Sequence, residues 1–231
     1  MNISKYVDEY QDRNQPNDRY ASFDYCYRYF RLSSSEQIKA DLEKSCLALA
    51  FYLASWGMLR GSGFLLQKSV RYYKEAVLYI ANLDKAVWEI DVDVYDNNNI
   101  KKIIDIYSDI QQLMIEGKSE DLTIVTKILL GVFGFVPAFD QYFRSAMKDW
   151  SDGQCGFTVV NTKALSLIGE FYQKNRDTIN QYSSTINVRS FSDPGSADLH
   201  YPKVKVIDMW GFCRGYEIKR DEKEKSKPIK P

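Results

Sequence analysis

Histidine is almost absent from this chain. His200 is the only one among 231 residues, which excludes a metal centre built on several imidazoles. The four cysteines, Cys26, Cys46, Cys155 and Cys213, lie far apart with no CxxC pair. Four free thiols in a reducing compartment are therefore expected, and no metal site. A surplus of either charge is also missing: 31 Lys and Arg stand against 31 Asp and Glu, with a pI of about 6.6. A dominant electrostatic affinity for nucleic acid needs a basic excess, so any such affinity must come from a local face. No apolar run reaches the length of a membrane span; LALAFYLASWGML stops short. The first residues, MNISKYVDEYQDRNQ, lack the apolar centre of a signal peptide. The expected location is the cytoplasm, with no membrane partner.

Cofactor fingerprints are lacking too. SWGMLRGSGFLLQKS holds three glycines, but it lacks the GxxxxGK[ST] spacing and follows a helical pattern rather than a strand. DVDVYDNNN resembles half of a calcium loop. The glycine and glutamate that such a loop needs are replaced by Asp96 and Lys102. No cofactor is expected.

What the chain does have is aromatic residues, 14% of the total with 17 Tyr, set in helical periodicity. Tyrosine buries a ring while its hydroxyl reaches a polar partner, which suits helix interfaces and binding surfaces alike. Ile3, Tyr6, Val7 and Tyr10 mark a first short helix, and Tyr20, Phe23, Tyr27 and Phe30 mark a second over 19–31. Ser33 to Ser35 precede Glu36 and Gln37 in capping-box register, opening a long helix to about Leu59. Further helices are expected over 69–83, 97–116 and 158–182. Residues 183–202, rich in Ser, Asn, Pro and Gly, read as a long loop. KVKVIDMWGFCRGYEIKR fits a helix by its apolar spacing, yet Val204, Val206, Asp208 and Trp210 also alternate as in a strand. The reading is an all-α protein, one multi-helix domain over 1–218. A charged, Pro-containing tail over 219–231 is expected to be disordered.

The stretch from Asp121 to Trp150 reads as a central hairpin. Leu122, Val125, Ile128, Leu129, Val132 and Phe133 line one helix. Gly134 and Pro137 interrupt, and Val136, Phe139, Tyr142, Phe143, Ala146, Met147 and Trp150 resume the pattern. A single carboxylate, Asp140, stands just after the break, either as a helix N-terminal charge or as a site residue. Arg60 and Lys68 flank the glycine-rich turn, and Lys127 and Arg144 lie on the hairpin helices; these four are the candidate phosphate contacts.

TKILLGVFGFVPAFDQYFRSAM resembles the second half of the helix-hairpin-helix region of base-excision DNA glycosylases, through Pro137, Asp140 and Arg144. The resemblance implies a glycosylase-like helical fold that binds DNA. It also implies that Asp140 stabilises positive charge developing on a sugar. The chain departs from that family where a Gly-hydrophobic-Gly turn is needed and GKSEDLT stands instead. The lysine of lyase-type members has no match, Lys127 lying too near Asp140. The whole chain is also similar to helical bacterial proteins of mobile elements and defence regions, through RYASFDYCYRYF, FYLASWGMLRGSGFLL and YPKVKVIDMWGF; that family has no settled activity.

Three functions are expected on these grounds. The first is a non-catalytic helical interaction protein of such a module, binding a protein partner or its own copy. The second is a DNA-binding protein with a degenerate or active glycosylase-like fold. The third is an enzyme of another kind, such as a nuclease using Asp208, Asp193 or His200.

Overall fold

The computed structural model describes residues 2–61, 63–115, 122–191 and 199–226. Every regular element among them is helical. The Asn2 side chain accepts the Lys5 amide and starts α1 (Ile3–Asp12), whose Ile3, Tyr6, Val7 and Tyr10 are buried as their spacing requires. A 3-10 turn, Arg19–Ala21, leads into α2 (Ser22–Leu32). The Ser34–Gln37 capping box opens α3 (Ser35–Ala40). Sequence spacing suggested one continuous helix from there, but the chain breaks at Asp41. Its side chain accepts the Lys44 amide and caps a separate α4 (Leu42–Ser55). Two 3-10 turns precede α5 (Lys74–Asn82), and Asp96 caps α6 (Asn97–Met114).

Two helices occupy the stretch, α7 (Leu122–Val132) and α8 (Gln141–Trp150), but they do not pair as the expected hairpin: α7 packs on α2, α4 and α6, and α8 packs on the helix Lys203–Lys225. Asp121, where the sequence placed the start of the hairpin, lies outside the described residues. Gly134 makes the break at φ +74°, and a Cβ there would lie 2.6 Å from Pro202 Cγ and 2.8 Å from the Tyr27 ring. Only glycine meets both demands. The second helix starts later than expected, because its preceding amides have tertiary partners. Ala138 N–H donates to Asp208 Oδ1 at 3.0 Å, and Phe139 N–H donates to Thr126 Oγ1 at 2.9 Å. Val136 and Phe139 are buried without being helical.

Next come α9 (Thr162–Lys174), α10 (Arg176–Thr185) and α11 (Lys203–Lys225). Residues 203–218 are thus helix. The disorder expected from 219 onward is corrected for Lys219–Lys225, which continue α11. Their charges alternate in sign, and Lys219 Nζ pairs with Glu222 at 2.9 Å, one turn away. Residues 227–231 lie outside the described residues.

The first half of α11 is the post of the fold. Val204 to Gly211 are all buried, with α8, α1 and α10 packed around them. Gly211 and Gly215 let α8 approach: a Cβ at Gly215 would lie 1.9 Å from the Tyr142 carbonyl oxygen. Asp91 caps this helix from a distant segment, accepting the Lys203 and Val204 amides at 2.7 and 3.0 Å. Burial pushes its carboxyl up to about 6. The long loop is pinched at its ends by one antiparallel bridge between Asn187 and His200. Among the described residues no helix is long and apolar enough to cross a membrane.

Candidate functional site

Two helix ends of opposite polarity meet in a cleft of about 250 Å³. One is the N-terminus of α8. Asp140 is its N-cap, and its Oδ1 accepts the Tyr142 and Phe143 amides at 2.9 and 3.0 Å. Capping of this kind stabilises by about 0.5–2 kcal/mol. The other Asp140 oxygen, Oδ2, carries no hydrogen bond among the described residues. Desolvation raises the carboxyl above its ordinary range, against the two amides and the charge of Lys127, which lower it.

The second end is the C-terminus of α4. Lys127 Nζ donates to the Trp56 carbonyl at 2.7 Å, a favourable place for a cation on a helix dipole. Lys127 is buried, on a helix buried on every side from Val125 to Val132. No carboxylate lies within ion-pair distance of its amine among the described residues. Burial pushes it down to about 8, with Asp140 and Asp208 opposing and Arg60 and Arg19 assisting.

Asp208 forms a third part of the cleft wall. Its Oδ1 holds the Ala138 amide and its Oδ2 meets Lys205 Nζ at 2.8 Å. Lys205 is wholly buried, 4.6–4.8 Å from the ring centres of Trp56, Tyr10 and Phe23 and 3.2 Å from the Tyr10 hydroxyl. This pair sets the segment that delivers Asp140. The remaining wall is aromatic, with Tyr20 and Phe212 in edge contact at 5.3 Å and Tyr142 edge-on to Phe212 at the same distance. Trp56 Nε1 is buried without a hydrogen-bond partner among the described residues.

Arg19 and Arg60 stand exposed at the mouth. Neither has a carboxylate partner among the described residues. The cleft thus joins an aromatic wall to cations at its mouth and an amine and a carboxylate within. That combination suits a flat, anionic ligand whose charge sits to one side.

The structure brings four of the sequence-derived candidates together: Asp140, Lys127, Arg60 and Asp208. Lys127 is not a surface phosphate contact but a buried amine. Lys68 does not join the cleft; its amine lies over the Tyr72 ring at 4.7 Å. Arg144 also lies outside the cleft lining, on a half-buried position of α8. His200 is exposed in the bridge, away from the cleft. Asp193 lies outside the described residues. Among the described residues no three His, Cys, Asp or Glu gather as a metal site. Sequence reasoning missed Arg19, Trp56 and the role of Asp208. A lone lysine within TIVTKILLGVF was the available signal for a buried amine.

No protein-family model matches this chain, and neither a curated protein nor a solved structure matches it.

Proposed function

We propose that this protein binds nucleic acid and takes one nucleotide unit out of the strand into the cleft, in the manner of a DNA-glycosylase-like fold. The observation that carries the reading is a pair of arginines, without carboxylate partners among the described residues, at the mouth of an aromatic cleft that has Asp140 within. Base faces stack on aromatic rings whatever their sequence, and guanidiniums match phosphate geometry. The chain has no net charge, so affinity rests on this local cluster. A cleft of about 250 Å³ is smaller than the roughly 300–1,000 Å³ of drug-sized sites, in keeping with one base and sugar rather than a longer segment. In this reading the Asp140 Oδ2, which carries no hydrogen bond among the described residues, would stabilise positive charge on a sugar.

Extruding a unit costs least where pairing is already broken. Fluorescence anisotropy at low salt should therefore show tighter binding to a duplex carrying a mismatch or abasic analogue than to a matched duplex, with affinity falling as salt rises. Equal or absent binding to all of them at low salt would overturn the reading.

A second reading, a protein-binding module, is favoured by Leu47 and Phe51. They stand 50% and 69% exposed one turn apart on the outer side of α4. Light scattering of the wild type and Phe51→Ser tests it through self-association: an oligomer dispersed by the substitution supports it, and a strict monomer counts against it.

A further inference from the structure

We infer that Arg19 and Arg60 form a phosphoryl clamp at the mouth of the cleft, the point at which the ligand's phosphate is held. The inference rests on the nucleotide reading and names the group that the reading leaves open.

The geometry begins with Gly57. It lies at φ +79°, in the left-handed region that follows the end of α4. A Cβ built there would lie 3.1 Å from Arg60 Nε, 3.2 Å from Arg60 Cζ and 3.4 Å from an Nη of Arg19. Both guanidiniums therefore crowd around the same point. Gly57 is needed for the backbone conformation and also for the space the two side chains occupy.

Two cations so close repel each other, and no acid among the described residues offsets them. The fold holds them in place by other means. Arg19 Nε donates to the Ser55 carbonyl at 2.9 Å, and its guanidinium lies over the Tyr20 ring at 4.8 Å. Arg60 is carried by the turn closed by the Gly63 amide on the Arg60 carbonyl at 3.1 Å. One guanidinium is thus fixed by its Nε, which leaves its outer nitrogens for an acceptor. The two nearby carboxylates do not serve as that acceptor: among the described residues neither Asp140 nor Asp208 forms an ion pair with Arg19 or Arg60, and Asp208 is paired with Lys205. An oxygen-rich dianion or a phosphodiester complements the two guanidiniums, whose forks bind either by paired hydrogen bonds. The aromatic wall beside the clamp places a base next to that phosphate.

The test titrates three probes: inorganic phosphate, a 5′-phosphorylated short DNA single strand, and the same strand without its terminal phosphate. Wild type, Arg19→Ala, Arg60→Ala and the double variant are compared. Both side chains are exposed, and unchanged thermal unfolding confirms that each variant folds. Each single substitution is expected to weaken strand binding about tenfold or more, the order of a charged hydrogen bond. It should also reduce the salt slope by about one. Arg19→Lys and Arg60→Lys should recover only part, because an ammonium lacks the fork. Preference for the 5′-phosphorylated strand assigns the clamp to a terminal phosphate, and equal binding assigns it to an internal one. Strand binding undiminished in the double variant overturns the clamp and leaves the nucleic-acid reading standing. Arginine-dependent binding of phosphate with no binding of either strand keeps the clamp and removes that reading. No binding of any probe removes both.

Discussion

Lys205 and Lys127 are both buried lysines within reach of the Trp56 ring, at 4.6 and 5.7 Å, yet the fold treats them differently. Lys205 has a carboxylate at 2.8 Å and three aromatic faces around it. Its charge is compensated, and through Asp208 it fixes the Ala138 amide. Lys127 has one carbonyl, at 2.7 Å, and its amine is pushed down to about 8. A buried cation with a partner is part of the framework. A buried cation without one carries a free-energy cost, and it persists where a ligand or a reaction uses it.

The largest effect should come from breaking the compensated pair. Lys205→Met leaves Asp208 as an unpaired buried carboxylate, and removal of one partner of such a pair costs about 3–5 kcal/mol. Urea unfolding should show this loss. The same variant should loosen the turn before Asp140, because Asp208 no longer has a fixed position. A loss below about 1 kcal/mol would mean that the rings rather than the ion pair hold this helix.

Lys127→Met should act in the opposite direction. A lysine lowered to about 8 carries roughly 3 kcal/mol of burial cost at neutral pH. Loss of the hydrogen bond to Trp56 offsets about 1 kcal/mol of the relief. A gain of about 1–2 kcal/mol at pH 7 is expected, with thioether packing in place of the amine. The pH dependence follows from the sign of the shift. The folded amine releases its proton near 8 and the unfolded one near 10.5, so the unfolded chain holds the extra proton between those values. Wild-type stability should rise with pH across that window, and the advantage of Lys127→Met should shrink with it. Equal destabilisation by the two methionine variants would erase the distinction between the lysines.

Sequence made the two helices of 121–150 legible, though not their partners, and left the post between helix and strand. The α8 apolar residues recur at helical spacing because that helix turns one face to the core. The α7 residues keep the spacing although Val125 to Val132 are buried on every side, and Asp140 stands where an N-cap belongs. The first half of α11 has no outer face. With Val204 to Gly211 all buried, the helical spacing of Val204, Ile207 and Trp210 competes with an alternation of Val204, Val206 and Asp208 that imitates a strand. The cleft was legible only in part for a related reason. Asp140 and Lys127 lie at the start of α8 and within α7, the two helices that periodicity identifies. Arg19 reaches Arg60 only through the Gly57 turn and the packing of two helices, and no local pattern encodes that meeting. Lys68 and Arg60 flank the same glycines, yet one turns to Tyr72 and the other to the cleft. That choice is made by tertiary packing, beyond the reach of composition.

The smallest effect also bears most directly on the uncompensated lysine. At pH 7 the Lys127 amine is mostly protonated, since it titrates near 8, and it adds a third cation to Arg19 and Arg60. As pH rises through 8 that charge is lost while the guanidiniums keep theirs. A phosphate several ångströms from the amine, in surroundings of intermediate dielectric, should lose about 1 kcal/mol of attraction, or roughly fivefold in affinity. Titrations of the phosphorylated strand from about pH 7.5 to about 9, above the second ionisation of a phosphomonoester near 6 and within the range where lysine and arginine elsewhere stay charged, should show this step in the wild type. The Lys127→Met curve should be flat and should match the wild type at the alkaline end. A step that survives in Lys127→Met belongs to another group and detaches the lysine from the ligand. A flat wild-type curve places the phosphate beyond the reach of the amine. In that case the cost of burying Lys127 would concern the end of α4 alone.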